Sequence, residues 1–401
     1  MILNILEWRM QQKTILFVIP TLDVGGAENQ LSMVLPGLKE LGWNITVFLT
    51  SGLGKLASPL KNQGITIIAP KFMGIRGILK SKILRAPFLL LSFCQLTIYL
   101  LINRPKIVHF TLAEAYLLGG LSSLLVGQKN LIMSRRSLNN YQNKYPLLAK
   151  LEHWLHTKMR IIIANNQSTI DQLATLEKVD PQKLRLIYNG LDMRRFDNKQ
   201  YNKIAIRKEY NLPTSSLTFI VIANILPYKG HATLLQALHA INSQLPVDWQ
   251  LLCVGKKHSY CQELEAQVID LKLQNHVYFL GQHSAVEQFL AISNVAISCS
   301  YEEGFSNAVI EAKAAGLPII VTNVGGNPEA VIDGVTGLII PAKDPTALSN
   351  AIIEVINKPS QTAKLAIAGK QRVEDNFSLD ACIKNYDTQF LSILNPGTIP
   401  N

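Results

Sequence analysis

The sequence predicts an α/β fold: two doubly wound, Rossmann-like domains facing an interdomain cleft, with a C-terminal helix crossing back to the first domain. Three observations predict it. The chain has 401 residues, enough to bury two or three separate cores. Short β-branched runs alternate with longer helical patterns, which is the pattern of a parallel sheet with crossover helices. The alternation lapses once, over the polar segment 189–216, and then restarts. The expected domains are therefore 1–198 and 199–377, followed by a helical tail over 378–401 that has no strand left to serve. No internal repeat recurs.

Taken in order, the strand runs of the first half are "TILFVIP", "ITVFLT", "ITIIA", "KIVHF", "NLIMS", "RIIIAN" and "LRLIY". Helical stretches such as "AENQLSMVLPGLKELG" separate most of them. The second half supplies "LTFIVIA", "WQLLCVG", "VYFLG", "VAISCS", "PIIVT" and "GLIIP". The N-terminus has a charged middle and a short apolar run, so it reads as the approach to a first strand and not as a secretory signal. The stretch 83–105 imitates a membrane segment. Arg85, Pro87, Ser92 and Gln95 interrupt it, whereas a spanning helix wants about 20 nearly unbroken apolar residues. It is expected as a packed helix.

Hydrophobic residues at 48% and charged residues at 17% describe an ordinary globular chain. Residues 1–200 hold 25 Lys+Arg against 11 Asp+Glu, and residues 201–401 hold 14 against 17. Such asymmetry points to an anionic partner for the first half. Just before the apolar stretch, Lys71, Arg76, Lys80, Lys82 and Arg85 alternate with apolar residues. A basic amphipathic segment of this kind suits an anionic membrane face; a solvated helix face is the alternative. The five cysteines are scattered, with no C-x-x-C, as for free thiols in a reducing compartment.

In doubly wound sheets ligands sit beyond the carboxyl ends of the strands, so the loops there carry the chemistry. Gly25 and Gly26 follow the first strand and allow close backbone approach at a helix start. The imitation fingerprint "GLGKLA" (52–57) lies in the wrong unit and lacks the acid that would hold a ribose. His109 ends "KIVHF", placed to point into the cleft, and Arg135 and Arg136 follow "LIMS", where paired guanidiniums can grip phosphate. In the second half, Lys229 stands at a helix start after "FIVIA", so its ammonium and the backbone donors converge on one point suited to a diphosphate. Then comes "YEEGFSNAVIEAKAAG" (301–316): a loop carrying Glu303 and Gly304, a helix start at Phe305, Ser306 and Asn307, and Glu311 inside the helix, which Gly316 closes. Eight positions separate the two acids, which excludes a close proton-sharing pair. They suit hydroxyls at either end of a phosphate-bearing ligand.

The ordered set of "VIPTLDVGGAENQL", "KIVHF", "LRLIYNGLDMRRF", "LPYKGH", "EEGFSNAVIEAKAAGLPIIVT" and "VGGNPEAVIDGVTGLIIPAKDPTAL" resembles glycosyltransferase family 4. These are the retaining nucleotide-sugar transferases of the GT-B fold, and the resemblance covers essentially the whole chain. It implies that Glu303 binds donor-sugar hydroxyls, Glu311 the nucleotide ribose and Lys229 the diphosphate. Gly304, Phe305, Ser306 and Asn307 would supply the loop and its backbone donors, Gly25 and Gly26 the first domain's contact with the donor, and His109 the histidine near the sugar. Many members carry an Arg five residues before the lysine; here that position is Asn224, so one phosphate-facing charge is missing.

The resemblance implies front-face sugar transfer with retained configuration, the leaving phosphate taking the acceptor's proton. No D-x-D occurs in the chain, and no metal or other cofactor is expected. The basic first half is expected to hold the acceptor, a glycan or lipid-linked molecule in cell-surface polysaccharide synthesis, with Arg135 and Arg136 on its phosphates. The chain is expected in the cytoplasm, peripheral on an anionic membrane surface, and not on nucleic acid. An epimerase of the same fold and a non-catalytic nucleotide or anion binder stay open as alternatives. A Rossmann oxidoreductase fails on the missing fingerprint and acid.

Overall fold

The computed structural model describes residues 13–23, 25–69, 82–136, 142, 145–197, 200–214 and 217–395, the side chains of 82–86 excepted. The basic positions Lys71, Arg76 and Lys80, and the side chains of Lys82 and Arg85, lie outside that set. The chain forms two compact units, Met1–Gly190 with Leu379–Asn401, and Leu191–Ser378.

The first unit is a seven-stranded parallel sheet in the order β3-β2-β1-β4-β5-β6-β7. Its strands are β1 (Thr14–Ile19), β2 (Asn44–Leu49), β3 (Thr66–Ile68), β4 (Ile107–Thr111), β5 (Leu131–Arg135), β6 (Ile161–Ala164) and β7 (Leu184–Leu186). The crossovers are α1 (Gly26–Glu40), α2 (Ala57–Asn62), α3 (Lys82–Asn103), α4 (Ala113–Leu125), α5 (Pro146–Lys158) and α6 (Gln167–Thr175). Both faces of the sheet are buried, which is why its strands read as unbroken apolar runs. Ile15, Phe17 and Ile19 face one core and Leu16 and Val18 the other. Each such side chain contributes roughly 1.5–3 kcal/mol when fully buried.

The second unit repeats the plan with six strands in the order β10-β9-β8-β11-β12-β13. These are β8 (Thr218–Ile222), β9 (Gln250–Val254), β10 (Val277–Gly281), β11 (Val295–Ser298), β12 (Ile319–Thr322) and β13 (Leu338–Ile340). Its helices are α7 (Lys203–Glu209), α8 (His231–Ala240), α9 (Tyr260–Asp270), α10 (Glu287–Ala291), α11 (Asn307–Ala314), α12 (Asn327–Ala330), α13 (Pro345–Asn357) and α14 (Pro359–Asn376). Phe219 and Trp249, 0% and 1% exposed, sit in the core between β8 and β9.

The last helix, α15 (Leu379–Leu394), belongs to the first unit. Phe390 and Tyr386 join the core around Phe17 and Trp43, and Trp43 Nε1 donates to Asp387 Oδ1 at 2.7 Å. Gly37 of α1 lets α15 approach, since a Cβ there would meet Ile383 Cδ1 at 2.3 Å. Residues 191–197, assigned from sequence to the first domain, cluster with the second unit instead. Leu191 N donates to Phe377 O at 2.8 Å, and Phe196 is 2% exposed, so this turn is packed into the second unit.

The strand orders reverse between β1 and β4 in one sheet and between β8 and β11 in the other. These are the switch points at which open α/β sheets bind ligands.

Candidate active site

Lys229 and Glu303 follow the two strands that flank the second switch point. Lys229 ends a 3-10 turn, Pro227–Lys229, that Gly230 closes with φ 74°. A Cβ on Gly230 would lie 1.9 Å from Cys299 O, so glycine is what lets this turn rest on the chain leaving β11. Tyr301 N donates to Tyr228 O at 2.7 Å, and Thr233 Oγ1 and Tyr301 OH are 2.6 Å apart. With the two loops joined this way, Lys229 Nζ donates to Glu303 Oε2 at 2.7 Å. Ser300 Oγ donates to the same oxygen at 3.0 Å. Both members of the ion pair are largely shielded, their side chains 16% and 14% exposed.

A second glycine pair fixes the loop from the other side. Gly325 has φ 51° and leaves no room for a Cβ, which would fall 1.8 Å from Glu303 O. Gly326 N donates to Gly304 O at 2.6 Å. Phe305 is 8% exposed and packs on Phe377 with ring centroids 5.4 Å apart. Ser306 then caps α11 by position only, with no side-chain hydrogen bond to the first turn. The helix start therefore keeps its dipole unscreened by a cap.

Glu311 lies on α11, about 7.5 Å along the axis from Ser306 at the usual rise per residue. Its carboxyl has no hydrogen-bond partner among the described residues; burial pushes it up to about 7, Arg195 opposes the rise and Glu287 adds to it. Arg195 is itself held by Glu287, Nη2 to Oε2 at 3.0 Å. Two residues further along α11, Lys313 is 0% exposed. Its Nζ donates to Ala330 O and to Thr336 Oγ1, which ties α11 to the loop around α12. Burial, then the charge of Arg372, pushes Lys313 down to about 7. His231, the first residue of α8, is 2% exposed; burial and then Lys229 push it down to about 4. His231 is thus neutral at physiological pH, and Lys229 is the cation at that helix start. Asn224, where the missing Arg would stand, accepts a hydrogen bond from Lys256 N at 3.1 Å and so braces the neighbouring loop.

In the first unit, Gly25 caps α1 with extended backbone and no side-chain cap, and Gly26 has open space where a Cβ would be. Gly54 of "GLGKLA" has a packing role, since its missing Cβ would clash with Leu22 C at 2.1 Å. His109 is a correction. It is the third residue of β4, not its end, and is 1% exposed. Its ring packs 4.9 Å from that of Phe17 and 5.8 Å from that of Phe390, and Nε2 lies 2.7 Å from Ser134 Oγ. Burial and then Arg136 push it down to about 3. This side chain faces the α15 layer.

Arg135 is a second correction. It is 3% exposed and its Nη2 is 2.9 Å from Glu152 Oε1 and 2.9 Å from Glu177 Oε2. Glu177 also meets His156 Nε2 at 2.9 Å. Arg136 donates to Asn189 Oδ1 at 2.8 Å and to Tyr386 OH at 2.6 Å. Both guanidiniums are committed inside the unit, so neither is poised for an acceptor phosphate. Glu114 was not singled out from the sequence. It lies in the first turn of α4, at the switch point, and accepts from Thr50 Oγ1 at 2.8 Å and from Ser51 Oγ. Leu112, which leads into α4, has φ 72°, an uncommon conformation for a branched residue and one that clusters at functional loops.

Residues 24–195 match the family model described as Glycosyltransferase Family 4, and residues 202–372 match Glycosyl transferases group 1. The first match falls almost wholly in the first unit and the second lies within the second unit. Among solved structures, the chain is similar to a Rickettsia africae glycosyltransferase at 23% identity, TM-score 0.80, over 96% of this chain and 99% of that one. It is also similar to Anabaena HepE in complex with UDP at 19% identity, TM-score 0.78, over 94% and 100%. These likenesses establish the GT-B type of fold, two Rossmann-like α/β units. Among curated proteins it is 28% identical over 235 residues to the Bacillus anthracis N-acetyl-alpha-D-glucosaminyl L-malate synthase, 58% of this chain and 60% of that protein. It is 26% identical over 261 residues to a GDP-mannose-dependent mannosyltransferase of Mycolicibacterium smegmatis, 63% and 64%. The matches therefore span somewhat under two thirds of those relatives.

Proposed function

We propose that the protein transfers a sugar from a nucleoside-diphosphate donor to an acceptor hydroxyl, retaining the anomeric configuration and using no metal ion. The observation that carries this reading is the Lys229–Glu303 pair set against the uncapped start of α11. A diphosphate placed there meets the ammonium and the positive end of the helix dipole together. Drawing Lys229 onto phosphate frees Glu303 to accept from sugar hydroxyls, and Glu311 accepts from the ribose one turn along α11. As the glycosidic bond breaks, negative charge builds on the leaving diphosphate. Donors already fixed around it lower the barrier without reorganising. The leaving phosphate takes the acceptor's proton.

The acceptor is held by the first unit, with Glu114 and the loop of Gly25 and Gly26 at its switch point. Its excess of positive charge favours a lipid-linked glycan at the cytoplasmic face of an anionic membrane, with the product entering cell-surface polysaccharide. Incubation with a panel of nucleotide sugars, with and without a chelator, tests the core of the reading. Release of nucleoside diphosphate from at least one donor, undiminished by the chelator, is expected. Tight nucleotide binding with no release from any donor would favour a non-catalytic binder.

A further inference from the structure

Helix α3 buries one face and leaves a second apolar face bare. Ser92, Leu96 and Leu100 are each 0% exposed, whereas Leu90, Leu91, Ile98, Leu101 and Ile102 are 64%, 47%, 55%, 48% and 75% exposed. At about 100° per residue, these five and the exposed Cys94 fall within one stripe about 120° wide. Single exposed leucines are ordinary on a protein surface, but a continuous apolar stripe marks an interaction site.

The sequence around the stripe carries charge of one sign. Between Glu40 and Glu114 the chain carries nine Lys+Arg and no acid, and α3 lies inside that interval. Crossover helices run back along the sheet, so α3, α4 and α5 all end at the strands' N-terminal edge. Arg104 and Lys106 follow α3, Lys129 follows α4, and Lys158 and Arg160 close α5. Some of these cations compensate helix dipoles, yet the row continues into an open pocket of about 570 Å³. Lys129, Lys158, Arg160, Lys183 and Arg185 line that pocket against the single acid Asp180.

Helices α3, α4 and α5 pack on the same side of the sheet, through Leu96, Tyr116 and Leu155. On α5, Leu147, Lys150, Trp154 and Lys158 recur at helical spacing and are all exposed, with Lys158 Nζ 5.5 Å from the Trp154 ring centre. Tryptophan beside lysine is a pairing suited to the layer between headgroups and acyl chains.

We infer that the outward face of α3, flanked by the cations at the helix ends, docks on an anionic lipid bilayer. The apolar stripe lies within the headgroup–acyl boundary and the cations meet lipid phosphates. Among the described residues no helix is long and apolar enough to cross a membrane, and the buried face of α3 keeps it on the sheet. This deepens the membrane placement proposed above and rests on it, but not on the chemistry. A second copy of the chain is the less suitable occupant, because a rim of one sign repels its own copy.

Cys94 provides the test. It lies on the stripe, while Cys253, Cys261, Cys299 and Cys382 are buried. The full-length chain, labelled there with an environment-sensitive fluorophore, is mixed with vesicles of phosphatidylcholine alone or of phosphatidylcholine and phosphatidylglycerol at about three to one. A blue shift on the mixed vesicles only, weakened by salt, is expected. The double variant Ile98→Glu, Leu101→Glu should lower the vesicle-bound fraction about tenfold, with nucleoside diphosphate release in solution and the thermal midpoint unchanged. An unshifted label, or a double variant that binds as the parent does, overturns the inference. So does a stable dimer, seen by sedimentation velocity without vesicles, that the double variant dissolves. The vesicle experiment contains no nucleotide sugar, so its failure leaves the transfer reading standing, and a failure of transfer leaves the docking result standing.

Discussion

Lys229 Nζ and Glu303 Oε2 lie 2.7 Å apart, so the two groups proposed to hold the donor's phosphate and its sugar neutralise each other. That arrangement gives each of two largely shielded charges a counter-charge, which offsets part of the cost of removing them from water. On the proposed reading it also couples the two halves of the donor, because phosphate drawn to Lys229 would release the carboxylate proposed to hold the sugar.

The coupling separates two substitutions. Lys229→Met should lower kcat by about a hundred- to a thousandfold and weaken nucleoside diphosphate binding, measured by steady-state kinetics and calorimetry. Glu303→Gln should lower kcat as severely while leaving nucleoside diphosphate affinity equal or higher, since the lysine is no longer held. Equal losses of affinity in both variants would show that the pair acts only as a structural brace.

Glu311 carries a pH signature. Its folded-state value, about 7, is raised above the ordinary 4.5. Its contribution to stability is therefore complete below about pH 4.5 and lost as pH rises through about 7. Glu311→Gln should remove that loss, so the variant's denaturation midpoint gains on the parent's between pH 5 and pH 8 (approximate limits). Donor hydroxyls favour the carboxylate, so donor affinity should rise with pH across the same window in the parent and stay flat in the variant.

Lys313 gives the opposite sign. Its folded value, about 7, is depressed below 10.5, so stability is lost as pH falls towards and through 7. In thermal melts, the difference between Lys313→Met and the parent should move in the variant's favour as pH is lowered from about 9 to about 6. A difference independent of pH would mean that the lysine is not desolvated in the fold.

In the first unit, Arg135→Ala should act on stability and not on substrate. It strands Glu152 and Glu177, and a broken buried pair costs about 3–5 kcal/mol, readable in a denaturant titration. Glu114→Gln should instead raise the acceptor KM while nucleoside diphosphate release without acceptor is unchanged. If the acceptor KM moved with Arg135 and not with Glu114, the assignment of the acceptor side would be reversed.

The contrast between these residues shows what the sequence could carry. All thirteen strands were legible, because a parallel sheet buried on both faces leaves continuous β-branched runs. The places of Lys229, Glu303 and Glu311 in the fold were legible because each sits at a fixed offset from a strand end or a helix start; their roles belong to the proposal. His109 was misread by two residues of strand: a histidine inside β4 and one at its tip look alike in sequence, and only its packing against Phe17 of β1 and Phe390 of α15 distinguishes them. Arg135 was misread because its partners, Glu152 and Glu177, lie 17 and 42 positions away in the chain. The bracing of Glu303 by Gly325 depends on two loops meeting, and no local pattern reports that. The helix over 83–105 was rightly packed, but its pattern could not say that only one of its two apolar faces would be covered.

The most direct test of the central claim is a crystal structure with the nucleoside diphosphate that the donor panel identifies. The account predicts the distal phosphate within hydrogen-bond distance of Lys229 Nζ and of the backbone at Ser306 and Asn307. It further predicts the Lys229–Glu303 bond broken and the ribose on Glu311. A nucleotide bound elsewhere, or one that leaves the 2.7 Å pair intact, would contradict it.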